Sequence, residues 1–431
     1  MKHRIILALG LVAFAFGCAF AQAPVSLDDC FRAALKQSQT LAGQREVLVQ
    51  ADEHYRQAFS VMLPQVAANF TSFSQDTSSV PPQSVTSVTA TLPNQATTKI
   101  VASMPLFRGF GLMAALAQTN SLSAAQKQAY RAAVYQLYSD TSNAFYLVMS
   151  LENDLKILQK ESDLYRDRIG ELQARVDIGR SRQTEVLTVQ TAQAALAAQS
   201  EQVQSQIATA RELLSFLTGL PAEVELNDTG AAPADAGLLG TYTAGIEDLP
   251  DVKFASLNAE AADHSVGSAA GNLWPAVDVA GDYYLSRPLG ALQNSKWDGT
   301  LSVSQSLFAG GYNVSKLAEA RSLLKQKQAD YRNAVNLARQ NIDSGYKQVS
   351  HDLLQAAKLK EAVDLAEKNY RAVSADYANG LVTNLEVLQA LASLQDISRS
   401  YNASSYALKM DYNKLLSLSA LVKLPEAQTA K

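Results

Sequence analysis

The second half of this chain repeats the first at a constant spacing of 201 residues, and that repeat limits what the chain can fold into. Phe107-Arg108-Gly109 aligns with Phe308-Ala309-Gly310, and Tyr130 with Tyr331. Gly179 aligns with Gly380, Glu185-Val186-Leu187 with Glu386-Val387-Leu388, and Leu217 with Leu418. A unit this long is not a solenoid repeat of roughly 20–50 residues; it is one structural plan built twice. Each copy carries two short strand-like segments and two very long helical ones. That combination suits a membrane pore with a helical extension better than an enzyme.

The start of the chain reads as an export signal over residues 1–21. Lys2, His3 and Arg4 precede an apolar stretch from Ile5 to Phe16, and Ala19-Phe20-Ala21 offers the small-x-small pattern for cleavage before Gln22. The competing reading is lipid attachment at Cys18, although bulky Phe16 fits a lipobox poorly. Past this leader no run of 18 apolar residues occurs. A membrane-spanning helix is therefore excluded, and β-strands remain as a way to cross a bilayer. A net charge of −4 gives no basic field for nucleic acid. His54, His264, His351 and Cys30 stand apart along the sequence. They suggest no metal set and no internal disulfide. No phosphate loop, zinc-protease motif or nucleophile elbow is present, so neither an enzyme nor a bound cofactor is expected.

The patterning divides the chain into a first structural repeat over 22–220, a Gly/Ala/Asp-rich joining segment over 221–248, a second repeat over 249–420 and a tail over 421–431. Ser26, as a helix cap ahead of Asp28 and Asp29, predicts a helix from 26 to about 62, ending before Pro64. Residues 65–74 and 97–104 read as strands flanking a polar loop with Val80-Pro81-Pro82 and Pro93-Asn94. In the second copy a helix over 250–271 precedes Trp274-Pro275. Val277, Val279, Tyr283 and Leu285 then alternate with Asp278, Ala280, Asp282 and Tyr284, and Trp297, Leu301 and Val303 alternate with Asp298, Thr300 and Ser302. Period-two segments of about ten residues mark transmembrane barrel strands. A half-buried hairpin shows the same alternation; export without a spanning helix favours the barrel. Trp274, Trp297, Tyr283 and Tyr284 suit either an interfacial girdle or a core.

After each glycine-rich kink, apolar residues step by four and three. The first copy runs through Val134, Leu137, Thr141, Ala144, Val148, Leu158, Tyr165, Leu172 and Val176; the second through Val335, Ile342, Val349, Ala366, Tyr370, Val373 and Tyr377. This is a heptad seam. A helix from 112 to 177 is about 100 Å long at 1.5 Å per residue. Each rod ends in a tight turn at Gly179 or Gly380, and a second helix returns with its own seam. Four strands cannot close a barrel, and bare strand edges cannot face lipid, so the chain must share its sheet with copies of itself. Two copies give eight strands; three give twelve and room for a lumen.

These pieces resemble the TolC-like outer-membrane efflux protein family. The likeness is carried by Gly179-Arg180-Ser181-Arg182-Gln183-Thr184-Glu185-Val186, by Tyr377-Ala378-Asn379-Gly380-Leu381-Val382-Thr383-Asn384-Leu385-Glu386-Val387-Leu388, and by the duplicated layout over nearly all of 26–420. The resemblance implies a mainly α chain with a transmembrane β-barrel: a homotrimeric 12-strand barrel in outer-membrane lipid, continued by an α-helical periplasmic tunnel. It implies a passive exit duct of a tripartite efflux or type I secretion system. Its partners would be a periplasmic adaptor (membrane fusion) protein and an inner-membrane transporter of RND, ABC or MFS type. In the family's closed tip, a tyrosine and carboxylates narrow the tunnel. Tyr377 matches that tyrosine, Glu185 and Glu386 the acidic positions, and Thr184 a neighbouring polar one. Gly179, Gly380, Leu381 and Val382 fall at the turns where an adaptor would dock. Val382 stands where some members carry a latching arginine, and Gln389 replaces a second acid, which implies a gate resting more on packing. By position alone, Glu185 and Glu386 also suit first-turn helix caps, and Tyr377 a core aromatic. A different class of function, a soluble periplasmic coiled-coil adaptor or scaffold, shares the hairpins and rods. The exported substrate is not legible.

Overall fold

A computed structural model of the chain describes residues 24–76, 94–230, 233–288 and 292–422. The export signal with Cys18, the Val80-Pro81-Pro82 loop with Pro93, and residues 423–431 of the tail lie outside the described residues.

Helix α1 (Leu27–Gln37) opens on a capping box in which Ser26 and Asp29 bond each other's backbone amides. The single helix expected to reach residue 62 is in fact two. Ser38 adopts an extended backbone, ends α1, and caps α2 (Gln39–Ser60) by accepting the Leu41 amide at 3.2 Å. A serine that can replace a helical bond with its own hydroxyl makes such a break inexpensive. The bend also lets Phe31, Ala34 and Leu41 bury together against Val134, Leu137 and Tyr138. Pro64 precedes β1 (Gln65–Ser74), which pairs with β2 (Asn94–Arg108). There follow α3 (Gly111–Asp177), α4 (Gln183–Thr218), a short α5 (Leu239–Thr243) and α6 (Pro250–Gly271). The chain closes with β3 (Ala276–Ser286), β4 (Trp297–Ser304), α7 (Tyr312–Ala378) and α8 (Asn384–Leu418).

The four strands form one antiparallel sheet in the order β1-β2-β3-β4. β2 outruns its expected 97–104 span because it is paired on both sides, from Ser74↔Asn94 with β1 to Arg108↔Ala276 with β3. The β2–β3 register slips between Pro105 and Phe107, where proline has no amide to give the ladder. One face carries Val66, Phe70, Ile100, Tyr283, Trp297 and Leu301; Phe70 is 70% exposed and Leu301 66%. That much bare apolar surface in strands suits lipid rather than water. The opposite face carries Asp278, Asp282 and Asp298, and each holds a cation: Lys99 on Asp282 at 2.6 Å, Arg108 on Asp278 at 2.7 Å and Arg287 on Asp298 at 2.7 Å. Tyr284 lies beneath Arg287 on this ion-paired side, 3.9 Å from ring centre to guanidinium. It is therefore no girdle residue, whereas Tyr283 and Trp297 share the apolar face.

Strand passes to helix at a crowded glycine crossing. Gly109 and Phe110 both take left-handed backbone angles, φ 58° and 62°. A Cβ on Gly109 would lie 2.5 Å from the Gly271 carbonyl oxygen, and one on Gly271 2.7 Å from the Gly111 Cα. The end of α6 and the start of α3 thus touch backbone to backbone. α3 and α7 are 67 residues each. The seam residues named from the sequence are buried or half-buried along both rods. The described residues of the joining segment, 221–230 and 233–248, pack against the rods. Val224 and Leu226 bury with Phe145 and Leu214, and Tyr242 and Ile246 with Ile342 and Leu415. Replacing Gly271 with alanine should destabilise the protein by roughly 2 kcal/mol, as overpacked cores do. Thermal unfolding of Gly271→Ala against Gly267→Ala, whose added Cβ would meet only the Ala114 side chain, checks this.

Candidate functional site: the helical tip

Both rods end in the same backbone device. Gly179 takes φ 72°; its amide reaches the Val176 carbonyl, and the Arg180 amide reaches back to Arg175 at 2.7 Å. Gly380 takes φ 74°, with matching bonds from Gly380 to Tyr377 and from Leu381 to Asp376. This is the Schellman stop, which requires a residue tolerant of positive φ. Gly179, Gly380 and Leu381 lie exposed at the turns, and Val382 packs against the apolar cluster below. Thr184 is exposed, its carbonyl accepting the Thr188 hydroxyl.

Tyr377, Glu185 and a pair of arginines come together. Tyr377 is buried, and its hydroxyl points to Glu185 Oε2 at 3.5 Å, the limit of hydrogen-bond range. Glu185 accepts a firmer bond from the Ser181 hydroxyl at 2.7 Å. Burial raises the Tyr377 hydroxyl above its ordinary value, despite Arg168 nearby, so it stays a proton donor. Arg168 of α3, only 8% exposed, stacks on the Tyr377 ring with its guanidinium carbon 3.7 Å from the ring centre. Arg175 stacks at 4.7 Å. Arg168 also donates twice to Asn384 Oδ1, at 3.0 Å each, and to Glu171 at 2.7 Å. One guanidinium therefore binds α3 to both α7 and α8. The sequence suggested no such cation, because Val382 is apolar. Arg168 sits two turns back on another helix, at a seam position where an arginine reads as surface. Its spacing from Tyr165 and Leu172 was the available signal.

Glu386 does not join that cluster within the protomer. Its carboxylate accepts from the Thr383 amide at 2.6 Å and the Thr383 hydroxyl at 2.9 Å, completing a capping box at the start of α8. Those two bonds, the amide first, hold the carboxyl below its usual range. Gln389 is exposed beyond it.

The comparisons with known proteins follow this architecture. The family model described as outer membrane efflux protein matches residues 31–220 and 246–420. The chain belongs to that family. Among solved structures it is similar to CusC, described as forming a transmembrane channel, at 17% identity, covering 91% of each chain with a TM-score of 0.80. It is similar to the outer membrane protein VceC from Vibrio cholerae at 20% identity, covering 91% of this chain and 96% of that one, TM-score 0.79. It is also similar to the MtrE outer membrane channel of Neisseria gonorrhoeae at 17% identity, covering 91% and 88%, TM-score 0.76. Among curated proteins, none matches significantly by sequence. The chain is an efflux channel of the outer membrane, a passive conduit rather than an enzyme, and the soluble adaptor reading is not favoured. Channels of this family are trimeric and work with adaptors and inner-membrane pumps in general.

The Glu386 cap has a pH signature. Its folded carboxyl is held below the unfolded value, so its contribution is complete above the unfolded value and is lost as pH falls through the folded one. Amide protection over residues 384–388 should weaken in acid in the wild type. In Glu386→Ala, which has no side-chain acceptor for the Thr383 amide, it should be weak throughout, as read by hydrogen exchange.

Proposed function

We propose that this channel is the exit duct of a tripartite efflux or type I secretion assembly, with the tip cluster as its gate. Three copies join their four-strand sheets into a 12-strand barrel, and the paired rods continue as a tunnel toward the inner membrane. After removal of residues 1–21, the repeats over 22–220 and 249–420 supply equivalent sixths of that wall, joined by 221–248. An inner-membrane transporter of RND, ABC or MFS type supplies the energy. A periplasmic adaptor docks on the turns at Gly179, Gly380, Leu381 and Val382, which carry exposed backbone and the 73% exposed Leu381.

The observation that carries the gate reading is the Arg168 stack on Tyr377. It bridges the α3–α4 hairpin to the α7–α8 hairpin, the joint that must part for a tunnel to widen. Arg168→Ala would leave the buried Asn384 oxygen without its donor, a loss of about 1–3 kcal/mol. Channels of Arg168→Ala should open more often in planar bilayers. Arg168→Lys should not restore closure, because an ammonium cannot make the forked bond. Unchanged gating in Arg168→Ala would reject this role.

Glu185 and Thr184 line the constriction beside Tyr377 in this reading, and Glu386 adds charge at the mouth. Three copies bring six carboxylates to one opening, which draws cations. Glu185→Gln combined with Glu386→Gln should lower cation preference and weaken block by multivalent cations. Reversal potentials across a salt gradient measure the preference, and current titrated with a multivalent cation measures the block; an unaltered preference would remove the ring from the account.

A further inference from the structure

The joint between the two helical hairpins, where α3 lies on α8, combines an apolar cluster, in which Val387, Leu388 and Leu391 bury with Leu158, Tyr165 and Leu172, with a row of polar contacts. Asn153 donates to Asn402 at 2.6 Å, Arg399 grips Asp154 at 2.7 and 2.8 Å, and Arg168 holds Asn384 nearer the tip. Glu161 lies on α3 between these contacts and behaves differently. It is 4% exposed, its carboxylate oxygens are shut off from solvent without a hydrogen bond of good geometry, and the Tyr165 hydroxyl is the nearby donor. A buried carboxylate without a partner is costly, and the group reduces that cost by keeping its proton.

The surroundings offer no cation to hold the charge. Glu161 borders a half-open cavity of about 250 Å³ whose walls include Leu164 of α3, Val363 and Glu367 of α7, and Leu391 and Gln395 of α8. On its own helix, Lys160 lines the same cavity without pairing with it, and Tyr165 lies one turn along. From α8, Asp396 and Arg399 face it, but Arg399 is already engaged by Asp154. From α7, Glu367 is paired with Arg371, and Tyr370 lies near Tyr165. From α4, uncharged Gln199 accepts from Gln395. Burial pushes the Glu161 carboxyl up to about 7; Tyr165 and Arg399 draw it down and Asp396 raises it.

We propose that Glu161 is a proton-operated element of this joint: protonated, it lets α3 and α8 pack closed; ionised, it loosens them and eases the tip toward opening. The first step stands on the buried carboxyl alone, and the second rests on the reading of the tip as a gate. The sign follows from linkage. The folded carboxyl keeps its proton where the unfolded chain has released it, so the packing is strongest in acid, weakens as pH rises from the ordinary 4.5 toward 7, and stays weak above.

Hydrogen exchange on the intact detergent-solubilised oligomer at pH 6 and pH 8, corrected for the intrinsic rate, tests the first step. The ionised share rises from about a tenth to about nine-tenths over that range, so wild-type protection over residues 391–399 should fall roughly tenfold. Glu161→Gln cannot ionise and should keep its acid-side protection at pH 8. Glu161→Met serves the same purpose if the glutamine variant does not fold. A flat wild-type profile, or variants that follow the wild-type profile, would overturn the proposal. Open probability in planar bilayers tests the second step: it should climb with pH in the wild type and not in Glu161→Gln. If exchange responds and opening does not, the link from joint to tip fails while the carboxyl switch stands.

Discussion

Hydrocarbon cannot accept or donate a hydrogen bond, and the whole architecture follows from that. The sheet leaves one side of β1 and one side of β4 without a strand partner among the described residues. Its apolar face is too greasy for water, and its edges are too polar for lipid. Only sister sheets can complete the missing ladders. The ion pairs on the opposite face fit a wall that looks onto water, where Lys99, Arg108 and Arg287 neutralise the carboxylates and tie the strands across the face. The glycine crossing at Gly109, Gly111 and Gly271 is what lets one chain change from sheet to rod within a few residues.

Below the sheet, two kinds of contact share the rods. Within each hairpin the seams are apolar: Leu158, Leu172, Val186, Val189 and Leu196 bury together, as do Ile342, Val349, Leu408 and Leu415. Such burial is non-directional and hard to undo, at about 1.5–3 kcal/mol per large side chain. Between hairpins the first of these clusters also takes in Tyr377, Val387, Leu388 and Leu391, and hydrogen bonds and ion pairs join it, each worth a net 0.5–1.5 kcal/mol or so because water replaces them readily. Those polar contacts are the share of the joint that can exchange for water when the hairpins shift. The tip cluster and Glu161 both lie on that joint.

Much of this was legible in the sequence. The 201-residue repeat, the period-two strands and the heptad seams gave the element order, and the seam residues are buried as their spacing requires. Gly179 and Gly380 announced the turns because few other residues accept positive φ. What escaped the sequence depended on distant partners. The break at Ser38 is driven by packing against α3. The cations beneath Asp278, Asp282 and Asp298 come from neighbouring strands or loop ends. Arg168 meets Tyr377 across more than two hundred residues of chain. The expectation of a latch weakened by Val382 overlooked a guanidinium arriving from α3. Glu386 followed its local alternative, the helix cap, because Thr383 lies three residues before it.

The most direct test is the mass of the detergent-solubilised mature protein, measured by light scattering with the detergent contribution subtracted. Three chains per particle is the result this account requires. A single chain, stable and monodisperse without detergent, would show that the strand edges need no neighbour, and the barrel would have no basis.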